Sequence, residues 1–63
     1  MLYDVFCNRE TENVIVVTFR NWTEFILYDS RKTIFDLPID YAGYIVESVT
    51  VDNDLTIIEA YEE

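Results

Sequence analysis

The chain of 63 residues holds one proline and one glycine, and both fall within residues 36 to 43. The rest is free of the two residues that most often break helices and strands. Regular structure is therefore expected on both sides of a single irregular connection. Hydrophobic residues make up 51% of the chain and aromatics 16%, which is the opposite of the composition that leaves a segment disordered. A chain this short forms one domain, residues 1 to 63, and buries about 60% of the surface its unfolded form exposes. Cys7 is the only cysteine, so no disulfide within the chain can supplement so small a core.

Residues 2 to 8 alternate as a strand, with Tyr3, Val5 and Cys7 on one face and Leu2, Asp4 and Phe6 on the other. The polar residues 8 to 13 have the length of a turn. Residues 14 to 20 follow with a β-branched run from Val14 to Thr18, which completes a hairpin whose more apolar face carries Ile15, Val17 and Phe19. Asn21 offers an N-cap and Glu24 a returning bond to it, so a short helix is expected to start there, with Trp22, Phe25 and Ile26 on its buried face. The competing reading makes residues 25 to 28 and 33 to 35 a second hairpin, because short apolar runs do not separate helix from strand.

Within the irregular connection, Leu37, Ile39 and Tyr41 are expected to fold back over the core. Residues 44 to 51 and 55 to 61 flank Asp52, Asn53 and Asp54, a turn-forming trio, and read as a C-terminal hairpin. One register sets Glu47 against Glu59 and Ile45 against Tyr61; a shift by one relieves the like-charge pair and sets Val49 beside Ile58. The fold class is α+β, a small antiparallel sheet of order ββαββ with one short helix packed on it. The alternative is an all-β small barrel or sandwich.

Thirteen acidic residues face four basic ones, for a net charge of −9. Residues 1 to 32 contain five of the acids and all four bases, whereas residues 33 to 63 contain eight acids and no Lys, Arg or His. Such a surplus disfavours direct contact with nucleic acid and with anionic membrane, and favours a basic surface on another protein. Same-face strand residues lie about 6.8 Å apart, of the order of the charge spacing along a nucleic-acid backbone. The C-terminal hairpin could therefore present carboxylates in place of phosphates. Glu47, Asp52, Asp54, Glu59 and Glu62 are the candidate charges, and Tyr44 and Tyr61 the candidate desolvated anchors.

These residues point to a non-enzymatic acidic protein-binding module. Brevity and unopposed negative charge suggest an inhibitor carried by a phage or mobile element that imitates DNA to block a nucleic-acid-binding protein. The alternative function is a homo-oligomeric structural or interaction protein that assembles by pairing strand edges, with residues 14 to 19 as the exposed edge.

Catalysis has little to work with, since the chain has no histidine, one cysteine and one glycine. It lacks the usual general base, a thiol pair for zinc or redox work, and a glycine-rich phosphate loop. Neither a cofactor nor a metal is expected, and the Asp52-Asn53-Asp54 trio reads as a turn instead of a calcium loop. The aromatics lack the basic groove that base stacking accompanies. A lone thiol, read as a small buried hydrophobe, and a start of Met-Leu-Tyr-Asp without a basic and apolar leader suggest the cytoplasm, that of the host if phage-encoded.

Overall fold

The computed structural model describes residues 1 to 63. The chain runs through a helix α1 (Leu2–Cys7), strands β1 (Asn13–Arg20) and β2 (Thr23–Asp29), a 3-10 turn (Ile39–Tyr41), and strands β3 (Ile45–Asp52) and β4 (Leu55–Tyr61). The strands form one sheet of four in the order β2-β1-β4-β3. The outer pairs β1–β2 and β3–β4 are antiparallel, whereas the central strands β1 and β4 run parallel. The class is α+β, as expected, but the sheet is mixed instead of wholly antiparallel, and the order is αββββ instead of ββαββ. It is also open, which removes the barrel and sandwich.

The N-terminal segment is helical where a strand was expected. Strand periodicity would put Asp4 on the same face as Leu2 and Phe6; helical periodicity sets Leu2 and Phe6 one turn apart and turns Asp4 to solvent. Leu2 and Phe6 are buried, Val5 is half-buried, and Tyr3, Asp4 and Cys7 are exposed. Cys7 is thus not the buried residue expected of a strand. A helix of six residues cannot hold itself. Its first amides donate to backbone carbonyls of the connection, Leu2 N–H to Tyr44 O at 2.8 Å and Tyr3 N–H to Ala42 O at 3.0 Å, which satisfies groups that a helix start leaves unpaired. At its other end the backbone N–H and side-chain amide of Asn8 both donate to Asp4 O, at 3.1 and 2.7 Å.

The segment expected to be helical from Asn21 is strand β2. Asn21 and Trp22 have φ of 52° and 66° and form the two-residue turn between Arg20 and Thr23. Positive φ at both central positions is the type I′ geometry that matches the twist of a tight hairpin. Asparagine suits an N-cap and a left-handed turn equally well, and here the turn wins because Thr23 and Phe25 pair with Arg20 and Thr18 across the ladder. The competing reading is half right, since residues 25 to 28 are strand but residues 33 to 35 are not. Strand β1 lies between β2 and β4, so residues 14 to 19 are interior to the sheet and not the exposed edge.

One face of the sheet carries the core. Val14, Val16, Ile58 and Ala60 meet Leu2 and Phe6 of α1 and Leu37 of the connection in one cluster of seven buried residues. Tyr28 packs edge-on against Phe6 with ring centroids 5.5 Å apart. Of the three residues expected to fold back, Leu37 is buried and Tyr41 half-buried, while Ile39 is 87% exposed. Thr56 is buried in the same layer and its hydroxyl lies 2.6 Å from that of Thr11.

The C-terminal hairpin uses both registers. Val49 pairs with Ile58 and Asp52 with Leu55 near the turn, whereas Ile45 pairs with Tyr61 at the far end. A bulge at Glu47 absorbs the difference of one residue. Glu47 therefore has no cross-strand partner, and Ser48 faces Glu59 in its place. The bulge removes the like-charge pair while keeping apolar residues aligned on both sides of it.

Asp29 closes β2 in a buried position, 5% exposed. Its Oδ1 accepts from Arg31 N–H at 3.0 Å and from Arg31 Nε at 3.1 Å, and its Oδ2 from Arg31 Nη2 at 3.2 Å. The side-chain bonds from Arg31 lower the Asp29 pKa below its ordinary value of 3.8, against the opposing effect of burial, and the backbone bond and the charges of Arg31 and Lys32 add to the lowering. A carboxyl whose pKa falls on folding stabilises the fold fully above the unfolded pKa, and that contribution is lost as pH drops through the folded value. We expect Asp29→Asn to lower the urea midpoint at neutral pH and to flatten its fall below about pH 4. An acid limb identical in both proteins would place the sensitivity in other carboxyls.

Candidate functional site

The sheet face away from α1 has no layer over it. Strand alternation places Ile15, Val17 and Phe19 of β1, Glu24, Ile26 and Asp29 of β2, Leu55, Ile57, Glu59 and Tyr61 of β4, and Ile45, Ser48, Thr50 and Asp52 of β3 on this open face. Val17 is buried yet stands outside the core cluster, as expected of a residue sheltered only by neighbours on the open side. Phe19, Ile26 and Ile45 are 39%, 52% and 51% exposed. The chain of 7.5 kDa exposes 4682 Å² in all, against about 4250 Å² expected for a compact monomer of that mass.

The open face is divided. Its β1–β2 half is mainly apolar, with Glu24 beside Phe19 and Asp29, paired with Arg31, beside Ile15, while its β3–β4 half carries Glu47, Asp52 and Glu59. Glu59 is held in place, since Ser48 Oγ donates to its Oε1 at 3.2 Å and Tyr61 O–H to its Oε2 at 2.5 Å. The bond to Glu59 raises the Tyr61 pKa above its ordinary value, helped by partial desolvation and by the charges of Glu59 and Glu47. Glu47, at the bulge, thus stands electrostatically close to Tyr61. The acids do not form a continuous row, because Ser48 and Thr50 intervene between Glu47 and Asp52, whose Cα atoms are roughly 16 Å apart along the strand.

The seven candidate contact residues divide into three places. Glu47, Asp52, Glu59 and Tyr61 share the open face. Tyr44 and Glu62 lie at the same end of the hairpin as Tyr61 but on the α1 side, where desolvation first, then the charges of Glu62 and Tyr41, raise the Tyr44 pKa. Tyr44 also packs edge-on against Tyr41, with centroids 5.2 Å apart. Asp54 is occupied within the fold. It accepts Glu12 N–H on Oδ1 and the Asn13 side-chain amide on Oδ2, both at 3.2 Å, and its carbonyl accepts Asn13 N–H at 3.1 Å. These bonds tie the turn to the segment entering β1.

The negative charge is barely compensated inside the chain. Its two ion pairs join the Met1 amino group to Asp4 at 3.9 Å and Arg31 to Asp29 at 3.1 Å. Arg9 donates to the carbonyls of Phe6 and Glu12 and lies 4.5 Å from the Phe6 ring centroid. Arg20 stands over Phe25 at 5.8 Å. No acid of residues 33 to 63 is in an ion pair.

Trp22 was expected on a buried helix face and instead stands at the tip of the β1–β2 hairpin, 101% exposed. Sequence reasoning missed it, together with the open exposure of Phe19 and Ile26. The signal available was the apolar character of both faces of β1, which left one face in need of cover. On the α1 side, Tyr3, Phe6, Cys7, Asp36, Leu37, Ile39 and Ala42 line a shallow apolar cleft of about 480 Å³. No group of three or more His, Cys, Asp or Glu side chains is placed to hold a metal ion. No helix is long and apolar enough to cross a membrane. Comparison with protein-family models, curated proteins and solved structures finds no match.

Proposed function

We propose that this chain is a non-enzymatic protein-binding module that docks its open sheet face on a basic surface of another protein. The observation that carries the reading is an uncovered face that joins exposed apolar residues, Phe19, Ile26 and Ile45, to carboxylates with no cationic partner in the chain, Glu47, Asp52 and Glu59. Protein interfaces combine exposed apolar area with charged and polar groups. The carboxylates steer encounter and select a basic partner, while the apolar half supplies desolvated area. Tyr61, fixed by its bond to Glu59, is a rigid anchor between the two halves. In its most specific form the partner is a nucleic-acid-binding protein, and Glu47, Glu59 and Asp52 stand where phosphates bind. Such an inhibitor fits a phage or mobile element acting in a host cytoplasm.

The test is capture from nuclease-treated lysate on the immobilised protein, at low and raised salt, with duplex DNA as competitor. A basic protein released by salt and displaced by DNA is the expected result. The double reversal Glu47→Lys/Asp52→Lys should cut that capture at least about tenfold, or ~1.4 kcal/mol, without lowering the melting temperature, because both side chains are exposed. Capture that neither salt nor the reversal changes would overturn the reading.

A second reading is self-association by strand-edge pairing, which the unpaired outer edges of β2 and β3 favour. Light scattering at micromolar concentration separates the two: a monomer removes self-association.

A further inference from the structure

Strand β3 ends the sheet, and its outer edge has nothing beside it. Residues 45 to 52 make no backbone hydrogen bond outside the ladder with β4, and all of them except Val46 are exposed. Alternate N–H and C=O groups along this strand therefore point to solvent as an unused template. The opposite edge differs. Beside β2 runs the segment of residues 32 to 38, where Tyr28 O–H donates to Phe35 O at 2.6 Å. Arg31 and Lys32 lie just past the end of β2, and Arg20 pairs with Thr23 at its start, so that bases stand beside its acids Glu24 and Asp29. The two edges thus differ in charge as well as in cover: β3 carries Glu47 and Asp52 and no base.

Resting on the protein-binding reading above, we propose that the outer edge of β3 accepts an extended basic segment of the partner protein as an added strand. Side-chain alternation specifies that segment further. Val49 and Val51 pair with Ile58 and Thr56 and so project on the α1 side, yet they are 48% and 64% exposed because the short helix does not reach them. Apolar residues at alternate positions of an added strand extend that row and cover it. The intervening positions fall on the open-face side, beside Glu47, Thr50 and Asp52, where Lys or Arg meets carboxylate. An alternating apolar and basic pattern therefore fits β3 on both faces.

A second copy of this chain does not fit as well. Pairing β3 with β3 of another copy, in either direction, gathers the Glu47 and Asp52 carboxylates of both chains in one ladder with no cation among them. Charge complementarity selects a basic strand instead.

The probe is a synthetic peptide in which lysine and valine alternate over the length of β3, compared with a peptide of the same composition whose lysines and valines are grouped in blocks. Amide hydrogen exchange of the isotope-labelled protein is followed by NMR. The alternating peptide is expected to bind at least about tenfold tighter than the block peptide, to slow exchange at alternate residues between Ser48 and Asp52, and to do so less at raised salt. Equal affinity for the two peptides overturns the proposal, because charge alone then suffices. Binding that leaves the β3 amides unprotected, or that protects β2, overturns it too, as does a dimer of the unliganded chain with the same amides already slowed. If neither peptide binds while salt-sensitive, reversal-sensitive capture persists, strand addition falls and the protein-binding reading stands. If capture ignores the charge reversal, that broader reading falls on its own result.

Discussion

Ile58→Ala is expected to remove a large share of this protein's stability, about 2–5 kcal/mol. Ile58 is fully buried on a central strand, with Val16 beside it on β1 and Val49 on β3. It belongs to a core cluster of only seven residues. Truncating a buried isoleucine to alanine costs about 2–5 kcal/mol, through lost transfer energy and the cavity left behind. A chain of 63 residues is stabilised by only about 3–9 kcal/mol at the usual per-residue values. The loss is therefore a large fraction of the whole. Relaxation cannot offset much of it, because the layer above the strand is a six-residue helix pinned at its start by Leu2 and Tyr3 to the carbonyls of Tyr44 and Ala42. Leu2→Ala should be similarly severe, since Leu2 is also fully buried despite its place next to the N-terminus. Ile39→Ala is the control. At 87% exposure it should change stability by no more than about 0.5 kcal/mol. Urea unfolding followed by circular dichroism measures all three, and a loss below about 1 kcal/mol for Ile58→Ala would show that α1 and the connection collapse readily onto the gap.

The weight carried by so few residues also explains what could be read from the sequence. The C-terminal hairpin was legible because its signals are local: a turn trio between two runs of strand-forming residues. Even there, two registers competed, and the fold keeps both by bulging Glu47 out of the ladder, a solution that a choice between straight pairings does not contain. The irregular connection was legible for the same local reason, through its proline and glycine. The first thirty residues were misread where one side chain serves two local structures. Asn21 fits a helix cap or a left-handed turn, and Leu2 to Cys7 fits either period, so the decision lay in tertiary contacts. Leu2 becomes helical because Tyr44 and Ala42 supply carbonyls to its first turn, and no pattern within residues 1 to 8 announces them. The parallel pairing of β1 with β4 is likewise a contact between residues more than forty apart in sequence, such as Val14 and Thr56. Of the candidate site, the acids were legible as a charge imbalance, but their division among the open face, the α1 side and the occupied Asp54 turn was not. Strand alternation decides which face a carboxylate joins, and the bulge at Glu47 changes that phase once.

Trp22→Gly, by contrast, is expected to make the protein more stable and, on the proposed protein-binding reading, a poorer binder. The type I′ turn requires left-handed backbone at both central positions, and Trp22 adopts φ of 66° there. Such a conformation costs a residue with a Cβ about 1–2 kcal/mol, a penalty glycine escapes. Glycine returns about 0.5–1 kcal/mol of this through the greater freedom of its unfolded chain. The indole is fully exposed, so its removal opens no cavity. The net gain is about 0.5–1 kcal/mol, which in a domain of this size raises the melting temperature by about 2–8 °C. Trp22→Ala separates backbone strain from side-chain exposure, because alanine keeps a Cβ in the left-handed turn and should leave the melting temperature nearly unchanged. Binding divides the variants differently. If the indole contacts the partner beside Phe19 and Ile26, both substitutions weaken capture alike, although only one of them stabilises the fold. That combination, a stabilised glycine variant with the same binding loss as an unstabilised alanine variant, is what a strained turn retained for its side chain predicts. A glycine variant that melts lower than the parent would mean that the indole packs on the fold in solution, and the strain argument would fail with it. Intact capture by both variants would remove Trp22 from the interface and leave the binding energy to the open face alone.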